Sequence, residues 1–208
     1  ARCLDTVKNL MDEIIIVDTG STDKTKDIAA EYTDKIYDFK WVDDFSEARN
    51  FAFSKATMDY IYSCDAHEVI DNENRMRFMN LKSVLVPEVE IVQMHYVEAN
   101  GSSVLNAKSE YRPKLYKRLR EFTWIEPIHE TVRLDPVVFD SDIEILHKPT
   151  SVHSKRDFSI FAKAYNKDKY LSDNLISMYA KELLKCGDKD DFTEASKIFE
   201  SILINQKI

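Results

Sequence analysis

The chain has 208 residues, 44% hydrophobic and 32% charged, with a formal net charge of −8 from 29 basic and 37 acidic side chains. That length buries one full core plus an appendage, and an acidic balance without a dominant basic stripe excludes an ordinary nucleic-acid binder. No secretory leader and no apolar run of about 18 residues is present, so the chain does not span a membrane by itself, while peripheral membrane contact stays open.

Three cysteines, Cys3, Cys64 and Cys186, lie far apart with no CxxC pair, and read as reduced thiols of a cytoplasmic protein. Arg2 to Met11 reads as a helix. Ile14, Ile15, Ile16 and Val17 then form an unbroken β-branched run, which suits a strand covered on both faces of a parallel sheet. The run ends at Asp18. Thr19 to Asp23 supplies a turn and a helix cap, followed by amphipathic residues through Ala30. Ile36, Tyr37 and Phe39 read as a second strand, Trp41 to Asp44 as a loop, and about Ser46 to Thr57 as a helix. A third strand, Tyr60 to Ser63, stops at Cys64-Asp65-Ala66-His67-Glu68.

Strands and helices alternating at these lengths imply right-handed βαβ units and a mostly parallel sheet. Ligands bind beyond the carboxyl ends of such strands, where Asp18 and Asp65 both fall. Each acid alone either caps a helix or serves a site. Two at neighbouring strand ends favour the site.

Past Glu68, a helix runs from Asp71 to near Leu85, and Pro87 breaks the chain. Glu90 to Val97 reads as a strand, Asn100-Gly101 as a turn, and Tyr111 to Leu119 as the antiparallel return. His95 reads as a core or pairing residue. The basic cluster Arg112, Lys114, Lys117, Arg118 and Arg120 reads as a solvated hairpin face, the alternative being attraction of a diphosphate or an anionic acceptor. In Ile128-His129-Glu130-Thr131 the zinc signature HExxH is absent, because Arg133 stands four residues after His129. A carboxylate half-buried beside Trp124 would suit a general base; a structural His129–Glu130 pair is the other reading. Ile143 to His147 alternates weakly before Lys148-Pro149. From Lys155 the pattern is helical only, with Phe158, Phe161, Ala162 and Tyr165 on one face, then Leu175, Met178, Tyr179 and Leu183, then Ala195, Ile198, Phe199, Ile202 and Leu203. Gly187 ends the middle helix. The boundary falls between an α/β domain, 1–150, and a helical extension, 151–208.

Three ordered motifs carry a resemblance: Val17-Asp18-Thr19-Gly20-Ser21-Thr22-Asp23-Lys24-Thr25, Trp41-Val42-Asp43-Asp44-Phe45-Ser46-Glu47-Ala48-Arg49-Asn50, and Asp65-Ala66-His67-Glu68. They resemble the subgroup of family 2 glycosyltransferases with VDTGSTDxT, WxDDFSxARN and DADE motifs. The resemblance implies the GT-A fold, a Rossmann-like, mostly parallel sheet flanked by helices with an antiparallel second half, here followed by an α-helical extension. It also implies inverting transfer from a nucleotide-sugar donor, by default a UDP-sugar, to a saccharide, lipid-linked or peptide acceptor. Asp18 would contact the base or ribose, Asp65 the ribose and a divalent cation, and Arg49 either the diphosphate or a structural salt bridge. His129 and Glu130 match the family's I-H-E, which makes Glu130 the expected base. His147 matches a late histidine of the metal shell and joins Asp65 and His67 as the expected ligand set.

His67 stands where the family has a second Asp. Imidazole suits Mn²⁺ better than Mg²⁺, and an altered site or reduced activity stays open. The family begins with a strand ahead of the helix that starts here at Arg2, so an upstream strand is expected. Acceptor choice would lie in Asn100 to Tyr111 and Asp135 to Ser141. The last two helices resemble a tetratricopeptide pair with Ala195 and Phe199 at its packing positions. The competing reading is a catalytically degenerate domain that binds a nucleotide, a saccharide or a partner protein.

Overall fold

The computed structural model describes residues 1–98, 110–118, 124–125, 127–128, 131–132, 136–148 and 154–205. The Asn100-Gly101 turn, Arg120, His129 and Glu130 lie outside them. In chain order the elements are α1 (Arg2–Val7), β1 (Ile16–Asp18), α2 (Thr25–Ala29), β2 (Ile36–Asp38), α3 (Phe45–Lys55), β3 (Tyr60–Tyr62), β4 (Glu68–Val69), α4 (Asn72–Val84), β5 (Ile91–Glu98), β6 (Glu110–Lys117), β7 (Trp124–Ile125), β8 (Thr131–Val132), β9 (Val138–His147), α5 (Ser154–Asp168), α6 (Asp173–Cys186) and α7 (Lys189–Asn205). The chain is α/β, with mixed sheet and a helical C-terminal part, as the sequence predicts. Among the described residues no helix is long and apolar enough to cross a membrane.

Two compact units form: 1–40, 51–122 and 134–150 in the first, and 41–50, 123–133 and 151–208 in the second. In the first, β1 and β2 pair in parallel, Ile16 opposite Ile36 and Asp18 opposite Asp38. A five-stranded sheet runs in the order β3-β6-β5-β9-β4. Its β5–β9 pair is parallel and its other pairs are antiparallel. Ile14 to Val17 is half-buried, because β1 is a three-residue strand whose partner among the described strands is β2.

The core of this unit gathers Val7 and Leu10 from α1 and its exit, Phe78 and Leu81 from α4, and Val92, Met94, Leu115, Ile143 and Ile145 from the sheet. The helix α4 starts at Asp71, whose carboxylate accepts the Asn74 N–H at 2.9 Å, satisfying a donor that the first helical turn leaves open. The β5–β6 ladder slips between Val92, opposite Leu115, and Gln93, opposite Pro113, so Lys114 is the extra residue of a β-bulge. Proline lacks the N–H a regular ladder needs, which fits its place beside a bulge.

The second unit packs Phe158, Phe161 and Tyr165 of α5 against Leu175, Tyr179 and Leu183 of α6 and Ala195 and Ile198 of α7. Phe161 stacks on Tyr179 at 4.7 Å. Leu203, expected on the packed face of α7, is exposed. Gly187 closes α6 with extended backbone, not the left-handed turn common after helices. Its reason for being glycine is crowding, since an added Cβ would meet the Leu183 carbonyl oxygen at 2.7 Å. The short pair β7–β8 aligns Trp124 with Val132.

Two measurements check this packing. Phe78→Ala, which empties one of the largest fully buried positions, should cost about 3–5 kcal/mol by urea denaturation. Glu13 supplies a pH test. Burial would raise its carboxyl, but Lys35 and the Thr57 N–H and hydroxyl hold it at about 2, below the ordinary 4.5. Its stabilisation is therefore complete above pH 4.5 and lost as pH falls toward 2. The stability gap between the parent chain and Glu13→Gln should be about 1–3 kcal/mol at pH 7 and should close over that acidic window.

Candidate functional site

Asp18 ends β1 and is 4% exposed. Its Oδ2 accepts the Gly20 N–H at 3.1 Å and the Ser21 N–H at 3.0 Å, and Lys26 Nζ lies 3.7 Å away. The Ser21 side chain and these N–H groups hold its carboxyl below the usual range against the pull of burial. Gly20 has φ of +110°, which a side chain would strain, and this backbone turn is what delivers both N–H groups to the carboxylate. Lys26 also pairs with Asp38 of β2. Asp18 is thus an ionised, turn-capping carboxylate.

Beyond β3, the Ser63 N–H donates to the Lys114 carbonyl at 2.8 Å, which extends the pairing to the start of the Asp65–Glu68 turn. That turn is closed twice: the Glu68 N–H donates to the Asp65 carbonyl at 3.0 Å, and the Asp65 N–H donates to Glu68 Oε2 at 3.2 Å. Glu68 is 1% exposed. Its other oxygen, Oε1, takes the ammonium of Lys114, itself 7% exposed. Burial pushes the Glu68 carboxyl up and the Lys114 charge opposes it. The bulge accounts for this pairing, because the extra residue of a bulged strand leaves the ladder's alternation and its side chain is re-aimed.

The same turn presents His67. Its carbonyl accepts the Lys148 N–H at 2.9 Å, and β4 sets Glu68 opposite His147 of β9. The His67 and His147 rings consequently meet, centroids 4.6 Å apart at 70°. His147 also lies 5.0 Å from the ring of Tyr96, which carries the Arg112 guanidinium on its face at 3.8 Å and Lys114 Nζ at 5.7 Å. The result is a row of imidazole, imidazole, phenol and cation beside the acidic turn. Two of the three expected metal donors, His67 and His147, are brought together, with Asp65 two residues before one of them. Among the described residues no three His, Cys, Asp or Glu side chains form a group that could hold a metal ion.

The remaining expected residues fall elsewhere. Arg49 lies on α3 in the second unit, half-buried. His129 and Glu130 follow the buried Ile128. Most of the Trp41–Asn50 motif performs local structural work: Asp44 Oδ1 accepts from the Ser46 N–H at 2.8 Å and from the Ser46 hydroxyl, and so caps α3. Asp43 accepts the Trp41 indole N–H at 3.1 Å and the Lys163 ammonium at 2.8 Å. Trp41 and Phe45 meet at 4.8 Å and pack on the α5–α7 core.

The basic cluster is not a uniform solvated face. Lys114 is buried, Arg112 stacks on Tyr96, Lys117 donates to the Pro87 carbonyl, and Arg118 donates to the Met58 carbonyl at 2.6 Å. Sequence reasoning missed the Glu68–Lys114 pair. The available signal was Pro113 inside a strand pattern, which marks a bulge.

The description Glycosyl transferase family 2 matches residues 1–133. The chain is 36% identical over 138 residues to a TPR repeat-containing protein of Synechococcus elongatus, covering 63% of this chain and 31% of that one. It is 31% identical over 145 residues to the SPbeta prophage-derived glycosyltransferase SunS of Bacillus subtilis, covering 64% and 34% respectively. It therefore spans about a third of the length of these curated relatives. Among solved structures it is similar to S. aureus TarS 1-349, with a TM-score of 0.49 and 13% identity over 97% of this chain and 66% of that one.

The buried pair generates a test of its own. Lys114→Met should cost about 3–5 kcal/mol by urea denaturation, since it strands a buried carboxylate, whereas Glu68→Leu combined with Lys114→Met should recover most of that loss.

Proposed function

The chain belongs to glycosyl transferase family 2, and from that premise we propose that it transfers a sugar with inversion from a UDP-sugar to a saccharide, lipid-linked or peptide acceptor. The observation that carries the reading is the meeting of His67, on the turn that begins at Asp65, with His147 at the end of β9, their ring centroids 4.6 Å apart. A side-chain constellation joining residues 80 apart in sequence, beside a clamped acidic turn, suits anion or cation recognition better than packing. The SunS relative is named a glycosyltransferase, which agrees.

In this reading Asp18 accepts hydrogen bonds from the base or ribose, and its low-lying carboxyl keeps it an acceptor at neutral pH. Asp65 accepts from the ribose hydroxyls, held in place by the hydrogen bonds that Glu68 exchanges with it. Asp65, His67 and His147 do not by themselves form a metal-holding group, so a cation would have to arrive with the nucleotide diphosphate, and the two imidazoles would suit Mn²⁺ more than Mg²⁺. When bound, the cation would neutralise charge on the departing diphosphate. The motif match supports Arg49 as a diphosphate contact and Glu130 as the group that removes the acceptor proton, the general base of a single in-line displacement.

Calorimetry tests this directly. UDP with Mn²⁺ should bind the chain, and Asp18→Asn should weaken binding about 10-fold or more, from the roughly 1.5–3 kcal/mol of a charged hydrogen bond. His67→Asp should shift the preference from Mn²⁺ toward Mg²⁺. No binding of UDP, GDP or dTDP at millimolar concentration with either metal would overturn the transferase reading and leave the interaction-module alternative.

A further inference from the structure

Cys3 lies in α1 and Cys64 in the segment that follows β3, 61 residues apart in sequence, yet their Sγ atoms are 3.0 Å apart. That is about 1 Å longer than a disulfide bond. The third cysteine, Cys186, is exposed on α6, while Cys3 is buried and Cys64 half-buried. The backbones carrying the pair are already tied together: the Ile70 N–H donates to the Thr6 hydroxyl at 3.3 Å, and that hydroxyl donates to the Cys3 carbonyl at 2.8 Å. Bond formation between the sulfurs therefore asks for little backbone movement.

We propose that Cys3 and Cys64 form a reversible modification site, a dithiol that a small disulfide such as glutathione disulfide converts to an intramolecular disulfide. Cys64, the more accessible sulfur, attacks one sulfur of glutathione disulfide and gives up its proton in doing so. A Cys64–glutathione bond forms, the glutathione S–S bond breaks, and the expelled glutathione takes up a proton. Cys3 then attacks the Cys64 sulfur, forming the Cys3–Cys64 bond and expelling the second glutathione. The protein loses two hydrogens, one glutathione disulfide becomes two glutathione thiols, and no other reactant is needed. The cross-link would fasten α1 to the residue immediately before Asp65. This proposal does not rest on the transferase reading, because its readout is covalent.

The experiment uses the Cys186→Ser chain, which removes the exposed thiol. After incubation with glutathione disulfide, intact mass should fall by about 2 Da, peptide mapping should recover a linked Cys3–Cys64 pair, and dithiothreitol should reverse both. Adding Cys3→Ser should instead trap a stable glutathione adduct of about 305 Da on Cys64, since the resolving thiol is gone. Adducts without a cross-link in the Cys186→Ser chain would overturn the proposal. So would two unchanged thiols under conditions where Cys186 of the parent chain is fully glutathionylated.

Discussion

The desolvation of one ion pair governs the arrangement beside the five-stranded sheet. Glu68 and Lys114 are both buried, and a buried charge without its partner is far more costly than a buried pair. Each therefore fixes the other's position. Through Glu68 the constraint reaches the Asp65 N–H, and through the β4–β9 pairing it reaches His147. Through Lys114 it reaches Tyr96 and the stack that continues to both histidines. The acidic turn is thereby tied to the sheet both by electrostatics and by ring packing.

Much of the architecture was legible in the residues. The period of apolar side chains located the three C-terminal helices, because they bury a face and the burial sets the pattern, while strand and turn signals located β5 and β6. The polar run from Asp71 marked the start of α4, where the structure shows Asp71 capping the first turn. What stayed hidden depends on tertiary contact. No local pattern says that Cys3 and Cys64 meet, since 61 residues of intervening chain decide it. Nor does the run Arg112 to Lys117 reveal that one of its cations is buried. The charged appearance of that run invited a solvated reading, and the ladder's slip at Val92 sends Lys114 inward instead.

The site was legible unevenly, for a related reason. Asp65, His67 and His147 were expected together only through the family resemblance, and the structure brings the two histidine rings together. Asp43 and Asp44 could not be separated from ligand-binding carboxylates by type alone. Only the structure assigns one to Trp41 and Lys163 and the other to the first turn of α3. A motif that identifies a family is therefore not a roster of ligand contacts, and here a good part of it maintains the second unit.

The slip in the β5–β6 ladder also bears on how this sequence can change over generations. With Lys114 as the supernumerary residue of the strand, loss of a single codon nearby would restore regular alternation and turn the lysine to another direction. Substitutions at position 114 and length changes in β6 are consequently not independent events. The reading frame of the sheet and the charge opposite Glu68 are inherited as one trait.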